Sequence, residues 1–130
     1  MSAEAPGLAL ETATEHVSVA VIGGDGIVQA ELSRAVGHGH TRELSGMVSQ
    51  VLAEAGVRAQ ALRWIASDLG PGSFTGVRVG LATARALALV SGARLLGASS
   101  RTALAHAVGG RRHSKSLVVP LVGAGRRDLY

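Results

Sequence analysis

The stretch with the most specific spacing for chemistry is Gly70-Pro71-Gly72-Ser73-Phe74-Thr75-Gly76. It joins an apolar run to a helix-like run. Free amides at a helix N-terminus attract anions, so a phosphate is one occupant to weigh. The spacing is not that of a Walker A loop, the Lys that would follow is missing, and the dinucleotide pattern is not met. The other reading is a structural turn. Pro71 fixes its φ, Gly70, Gly72 and Gly76 allow positive φ or close backbone approach, and Ser73 or Thr75 caps the helix.

Three other places hold groups of the right type. Glu11, at the end of a first strand, could hold a metal-bound phosphate, but the phosphate cradle needs glycines close by and none appears until Gly23. His38 and His40 could ligate zinc with Glu43 as a third ligand; a mobile, solvent-exposed loop is the favoured reading. His16, His106 and His113 are isolated. Among the serines there is no Gly-x-Ser-x-Gly elbow, and Ser99-Ser100 looks like a helix cap. Asp68 beside the glycine turn either orients another group or bonds to nearby turn amides. No catalytic, cofactor-binding or metal-binding residue is assigned.

The elements that would position these groups can be read from periodicity. Leu8–Leu10, Val17–Ile22 and Ile27–Ser33 form an antiparallel meander, with a turn at Gly23-Gly24-Asp25-Gly26. A helix opens at His40 or Thr41 and ends near Gly56, with Leu44, Met47, Val48, Val51, Leu52 and Ala55 as its apolar stripe. Leu62–Ser67 is a fourth strand feeding the turn. The helix after the turn runs to about Val90 and is stopped by Gly92. Gly76, Gly80, Ala84 and Ala88 share one of its faces. Gly80 costs that helix about 0.8–1 kcal/mol relative to Ala, which a closely packed neighbour would explain. If the small face points outward it is an interface; the alternative is that the two helices pack on each other within the chain. A fifth strand follows at Arg94–Gly97, a third helix at Arg101–Val108, and a sixth strand at Leu117–Val122. The order implies a mixed sheet covered by helices.

Composition narrows the class. The chain has 130 residues, no cysteine and one each of Phe, Tyr and Trp. Disulfides and thiolate sites are excluded, and a multi-base stacking platform has too few aromatics. Thirteen basic against nine acidic residues give a net charge of +4. Arg111, Arg112, Lys115, Arg126 and Arg127 carry the excess, which makes nucleic acid a weakly supported partner of that segment. Met1–Gly7 lacks the apolar core of a secretion signal, and no uncharged apolar stretch approaches the length of a membrane span. The expected location is cytoplasmic.

The run from Gly70 to Ala84 resembles the signature of the TsaB (YeaZ) family. Leu10–Ala20 is similar to that family's first hairpin, His40 with Leu44 and Leu52–Gly56 to its first helix, and Gly97–Ala105 to the segment before its third helix. The resemblance covers about residues 8–108. It implies an α/β domain of the actin-like (ASKHA, ribonuclease H-like) kind, a mixed five-stranded sheet flanked by helices. It further implies a non-catalytic partner protein in synthesis of N6-threonylcarbamoyladenosine on tRNA, which binds and activates a TsaD-like enzyme and is joined by a TsaE-like ATPase. No cofactor is implied. Carried over by position, Leu44, Met47, Val48 and Val51 with Val77, Gly80, Leu81 and Ala84 would form the helical interface, for TsaD or for a second copy, and tRNA contact would be indirect. TsaD-like enzymes hold a metal with His-x-x-x-His; here Arg101–His106 has no such pair. Glu11 stands where the family usually has Asp. Residues 1–110 read as the N-terminal domain and 111–130 as a basic linker with the start of a second domain, although Gly123–Arg127 departs from the family's turn. The alternative function is an independent actin-like ATPase or phosphotransferase.

Overall fold

The computed structural model describes residues 5–37, 39–109, 117 and 119–123. Five strands and three α-helices appear in chain order: β1 Gly7–Glu11, β2 His16–Ile22, β3 Val28–Ala35, α1 His40–Glu54, β4 Trp64–Asp68, α2 Phe74–Ser91, β5 Arg94–Ala98 and α3 Ser100–Gly109. A short 3-10 turn, Ala59–Ala61, precedes β4. The strands form one mixed sheet in the order β3-β2-β1-β4-β5. β1, β2 and β3 are antiparallel neighbours, whereas β4 runs parallel to both β1 and β5. This is the actin-like architecture that the sequence implied.

Alternation decides which way the sheet faces. Val17, Val19 and Val21 of β2 are buried while Ser18, Ala20 and Ile22 are half-buried, the period-2 pattern of a strand with one covered face. Leu8, Leu10 and Ile65 join the valines under Leu44, Met47, Val48 and Val51 of α1 and Ala84 of α2. The opposite face is paved with small residues, including Ala9, Ala20 and Ala66, and is only partly covered. β3 slips by one residue against β2 near Val21/Ile22, a bulge that the simple alternation of Ile27–Ser33 did not anticipate.

The helix ends follow their sequence signals. Ser73 caps α2, its hydroxyl accepting the Gly76 amide at 3.1 Å. Gly92 ends α2 with φ +72° and Gly56 follows α1 with φ +65°, conformations that favour glycine. Among the described helices, α2 is long and apolar enough to cross a membrane by length and composition, with mean hydropathy 1.2. It carries Arg78 and Arg85 and buries Gly76, Gly80 and Ala84 against the domain.

The sixth strand is a correction. Of Leu117–Val122 the described residues are not in a strand, and only Gly123 makes a bridge. Pro120 has no amide to give a ladder, which weakens that stretch as a strand. The rest of the 111–130 reading, with its five basic residues and His113, lies outside the described residues.

Candidate functional site

The glycine turn and the β1–β2 connection lock into each other. Thr12 and Ala13 are buried. The Thr12 hydroxyl donates to the Gly76 carbonyl at 2.7 Å, and the Ser73 amide donates to the Ala13 carbonyl at 2.7 Å. A Cβ on Gly76 would overlap the Thr12 carbonyl oxygen, one on Gly80 the Thr12 hydroxyl, and one on Gly72 the Ala13 carbonyl oxygen. The small-residue face of α2 therefore points inward and seats this connection. The Gly70–Pro71 bond is cis. Three amides of the turn are bonded within the chain: Gly70 donates to the Asp68 carboxylate at 2.6 Å, and Ser73 and Gly76 are bonded as above. These bonds and close contacts tie the turn to the β1–β2 connection.

Parallel pairing of β1 with β4 creates an arrangement that sequence spacing did not show. Leu10 pairs with Ser67, so the next residues, Glu11 and Asp68, end adjacent strands side by side. Asp68 is 6% exposed. Its Oδ1 accepts from the Gly70 amide and from the Ser100 hydroxyl, each at 2.6 Å. Its Oδ2 is buried without a partner among the described residues. Glu11 accepts the Ala13 amide at 2.7 Å. Burial pushes the Glu11 carboxyl above the usual carboxylate range, the Ala13 amide opposes the rise, and the charge of Asp68 adds to it. The pair opens on a cleft of about 390 Å³ on the small-residue face, lined also by Ser18, Ser33, Ser99 and Ala103. Two carboxylates of this kind can share a proton or bind a cation. The signal for them was topological: a carboxylate at the C-terminal end of each of two strands that become parallel neighbours.

The His38/His40 pair lies outside what the structure describes, the His40 side chain included. Glu43 forms an ion pair with Arg34 at 3.1 Å. Among the described residues no three of His, Asp and Glu come together. His16 and His106 are exposed.

Most of the side chains expected at a helical interface are packed within the chain. Leu44, Met47, Val48, Val51 and Ala84 are core side chains and Gly80 is buried, while Val77 and Leu81 are half-buried. Each helix has one wide apolar face, and the chain's own sheet and β1–β2 connection take it. The faces that stay exposed carry other residues. On α1 they are Ser45, Gly46, Ser49 and Ala53; on α2 they are Arg78, Ala82, Arg85, Ala86 and Leu89, all exposed. Gly46 has open space where a Cβ would stand, and Leu89 is 87% exposed. The two helices lie beside each other on the sheet.

Sheet order, mixed pairing and the packing of α1 and α2 on one face define an actin-like α/β domain. A family model described as "TsaD: tRNA N6-adenosine threonylcarbamoyltransferase" matches residues 12–130. The tRNA threonylcarbamoyladenosine biosynthesis protein TsaB of Escherichia coli (strain K12) is 33% identical over 123 residues, 95% of this chain and 52% of that protein. Its namesake in Haemophilus influenzae is 35% identical over 124 residues, 95% of this chain and 51% of that protein. The solved structure of YeaZ from Pseudomonas aeruginosa superposes with a TM-score of 0.76 at 33% identity, covering 83% of this chain and 49% of that one. The chain belongs to the TsaD family of proteins and, within it, with the TsaB (YeaZ) members. It spans about half the length of the curated relatives it matches.

Proposed function

We propose that this chain is a non-catalytic partner subunit in the synthesis of N6-threonylcarbamoyladenosine on tRNA, binding and activating a TsaD-like enzyme. The observation that carries the reading is the similarity to TsaB proteins across 95% of the chain. The exposed faces of α1 and α2 support it. They place small residues, two arginines and an exposed Leu89 on adjoining helices, a surface that lets another helix approach closely. The same faces would serve a second copy of the chain. A TsaE-like ATPase would join the complex, contact with tRNA would be indirect, and the setting would be the cytoplasm. The test is co-purification of the chain with a TsaD-like protein. Recovery of a complex supports the reading; separate elution at micromolar concentrations counts against it.

A second reading, a metal-dependent ATPase or phosphotransferase, draws on the Glu11–Asp68 pair. It is disfavoured by the lack of a glycine cradle next to Glu11, where no glycine follows until Gly23. ATP turnover by the chain alone, lost in Asp68→Asn, would establish it.

A further inference from the structure

At the end of the sheet opposite to Glu11 and Asp68 lies a second cleft, of about 820 Å³, lined among others by Ile22, Gly23, Arg63, Trp64, Arg94 and Leu96. Trp64 is the chain's single tryptophan and is half-buried. Its indole lies across Gly7, where any Cβ would collide with the ring. One side of the ring therefore rests on backbone. Ile22 and Leu96 share its face of the sheet, since Gly7 pairs with both Ile22 and Trp64.

Two guanidinium groups stand at this aromatic surface. Arg94 is in register with Trp64 across β4 and β5, and Arg63 precedes Trp64. Their backbones are tied together, the Arg94 amide donating to the Arg63 carbonyl at 2.9 Å and the Arg63 amide donating to the Pro6 carbonyl at 3.0 Å. Both side chains are exposed, and neither has an ion-pair or hydrogen-bond partner among the described residues. Among the described residues, the acid of the loop that lines the cleft, Asp25, is turned into that loop, accepting the Ile27 amide at 3.0 Å.

A flat apolar ring beside two exposed arginines on bonded backbone, without side-chain partners among the described residues, suits a ligand with a planar aromatic part and an adjoining phosphate. Aromatic rings stack bases without regard to sequence, and guanidinium groups match phosphate oxygens in a fork geometry. We propose that this cleft binds one nucleotide, its base against Trp64 and its phosphate on Arg63 and Arg94. A single aromatic side chain admits one base, not a strand of stacked bases. The nucleotide is either free or part of an RNA strand, and the chemistry is common to both. The inference does not depend on the partner-subunit reading.

Because Trp64 is the single tryptophan, its fluorescence reports on this site alone. The experiment titrates the chain at low salt with AMP, with adenosine, and with a 5′-phosphorylated single-stranded oligoadenylate. Saturable quenching by AMP or the oligonucleotide, with adenosine weaker by about tenfold, is the expected result; tighter binding of the oligonucleotide than of AMP identifies the strand as the source. The exposed double variant Arg63→Ala/Arg94→Ala should weaken the affinity about tenfold or more, the scale of lost charge-assisted hydrogen bonds, with an unchanged far-ultraviolet circular dichroism spectrum. Absence of saturable quenching by both phosphorylated ligands overturns the proposal. So does equal binding of AMP by the double variant.

Discussion

Gly80→Ala tests the lock between the glycine turn and the β1–β2 connection. On propensity alone the substitution stabilises α2 by about 0.8–1 kcal/mol. In this fold the added methyl overlaps the Thr12 hydroxyl and sits 3.3 Å from Thr12 Cβ and Cγ2. Thr12 cannot turn away freely, because its hydroxyl holds the Gly76 carbonyl at 2.7 Å in a buried setting. Overpacking costs about 1–3 kcal/mol, and loss of a buried hydrogen bond adds about 1 kcal/mol. The net expectation is a destabilisation of about 1–3 kcal/mol. In a Thr12→Ala background the hydroxyl and methyl are gone, and Gly80→Ala should become near neutral or stabilising by up to about 1 kcal/mol. Urea denaturation of the four proteins of this cycle, followed by circular dichroism, gives the coupling directly. Stabilisation by Gly80→Ala in the wild-type background, or the same change in both backgrounds, would remove the basis for an inward-facing stripe.

Two further outcomes follow from burial and charge. Met47→Ala should lower stability by about 2–5 kcal/mol, as for a large side chain lost from a core; a loss below about 1 kcal/mol in chemical denaturation would return Met47 to the surface. Glu11→Gln bears on pH. The folded-state pKa of Glu11 is raised, so the folded chain holds that proton more tightly than the unfolded one. Stability is therefore lost as pH rises from the unfolded value through the raised folded value, and is regained on acidification. The variant should be more stable than wild type at neutral pH, with the advantage shrinking as pH falls through the raised folded value and gone below the ordinary glutamate pKa. An advantage independent of pH between 4 and 8, in denaturation at fixed ionic strength, would show that the Glu11 carboxyl does not titrate in this way.

Much of the fold was legible because its local signals agree with its global packing. Gly56 and Gly92 end their helices where the sequence places stops, and the valines of β2 alternate as a half-covered strand must. What escaped was set by tertiary contact. Nothing local tells Gly76 and Gly80 whether they meet a partner or Thr12, some sixty residues earlier. An apolar stripe such as Leu44, Met47, Val48 and Val51 looks the same whether it covers its own sheet or another chain. Glu11 and Asp68 are far apart in sequence, and only parallel pairing of β1 and β4 makes them one site. The β3 bulge depends on pairing with β2, which periodicity does not report.

The partner-subunit reading puts the contact on the outer faces of α1 and α2, and one exposed position on them tests it. Ala82→Glu leaves the core untouched and would bury an unpaired carboxylate in a helix-to-helix contact. Titration calorimetry of the chain with a TsaD-like protein should show binding that Ala82→Glu weakens about tenfold or more, while Thr102→Glu on exposed α3 leaves it unchanged. Undiminished affinity in Ala82→Glu, with both variants folded, would contradict a partner surface on these helices.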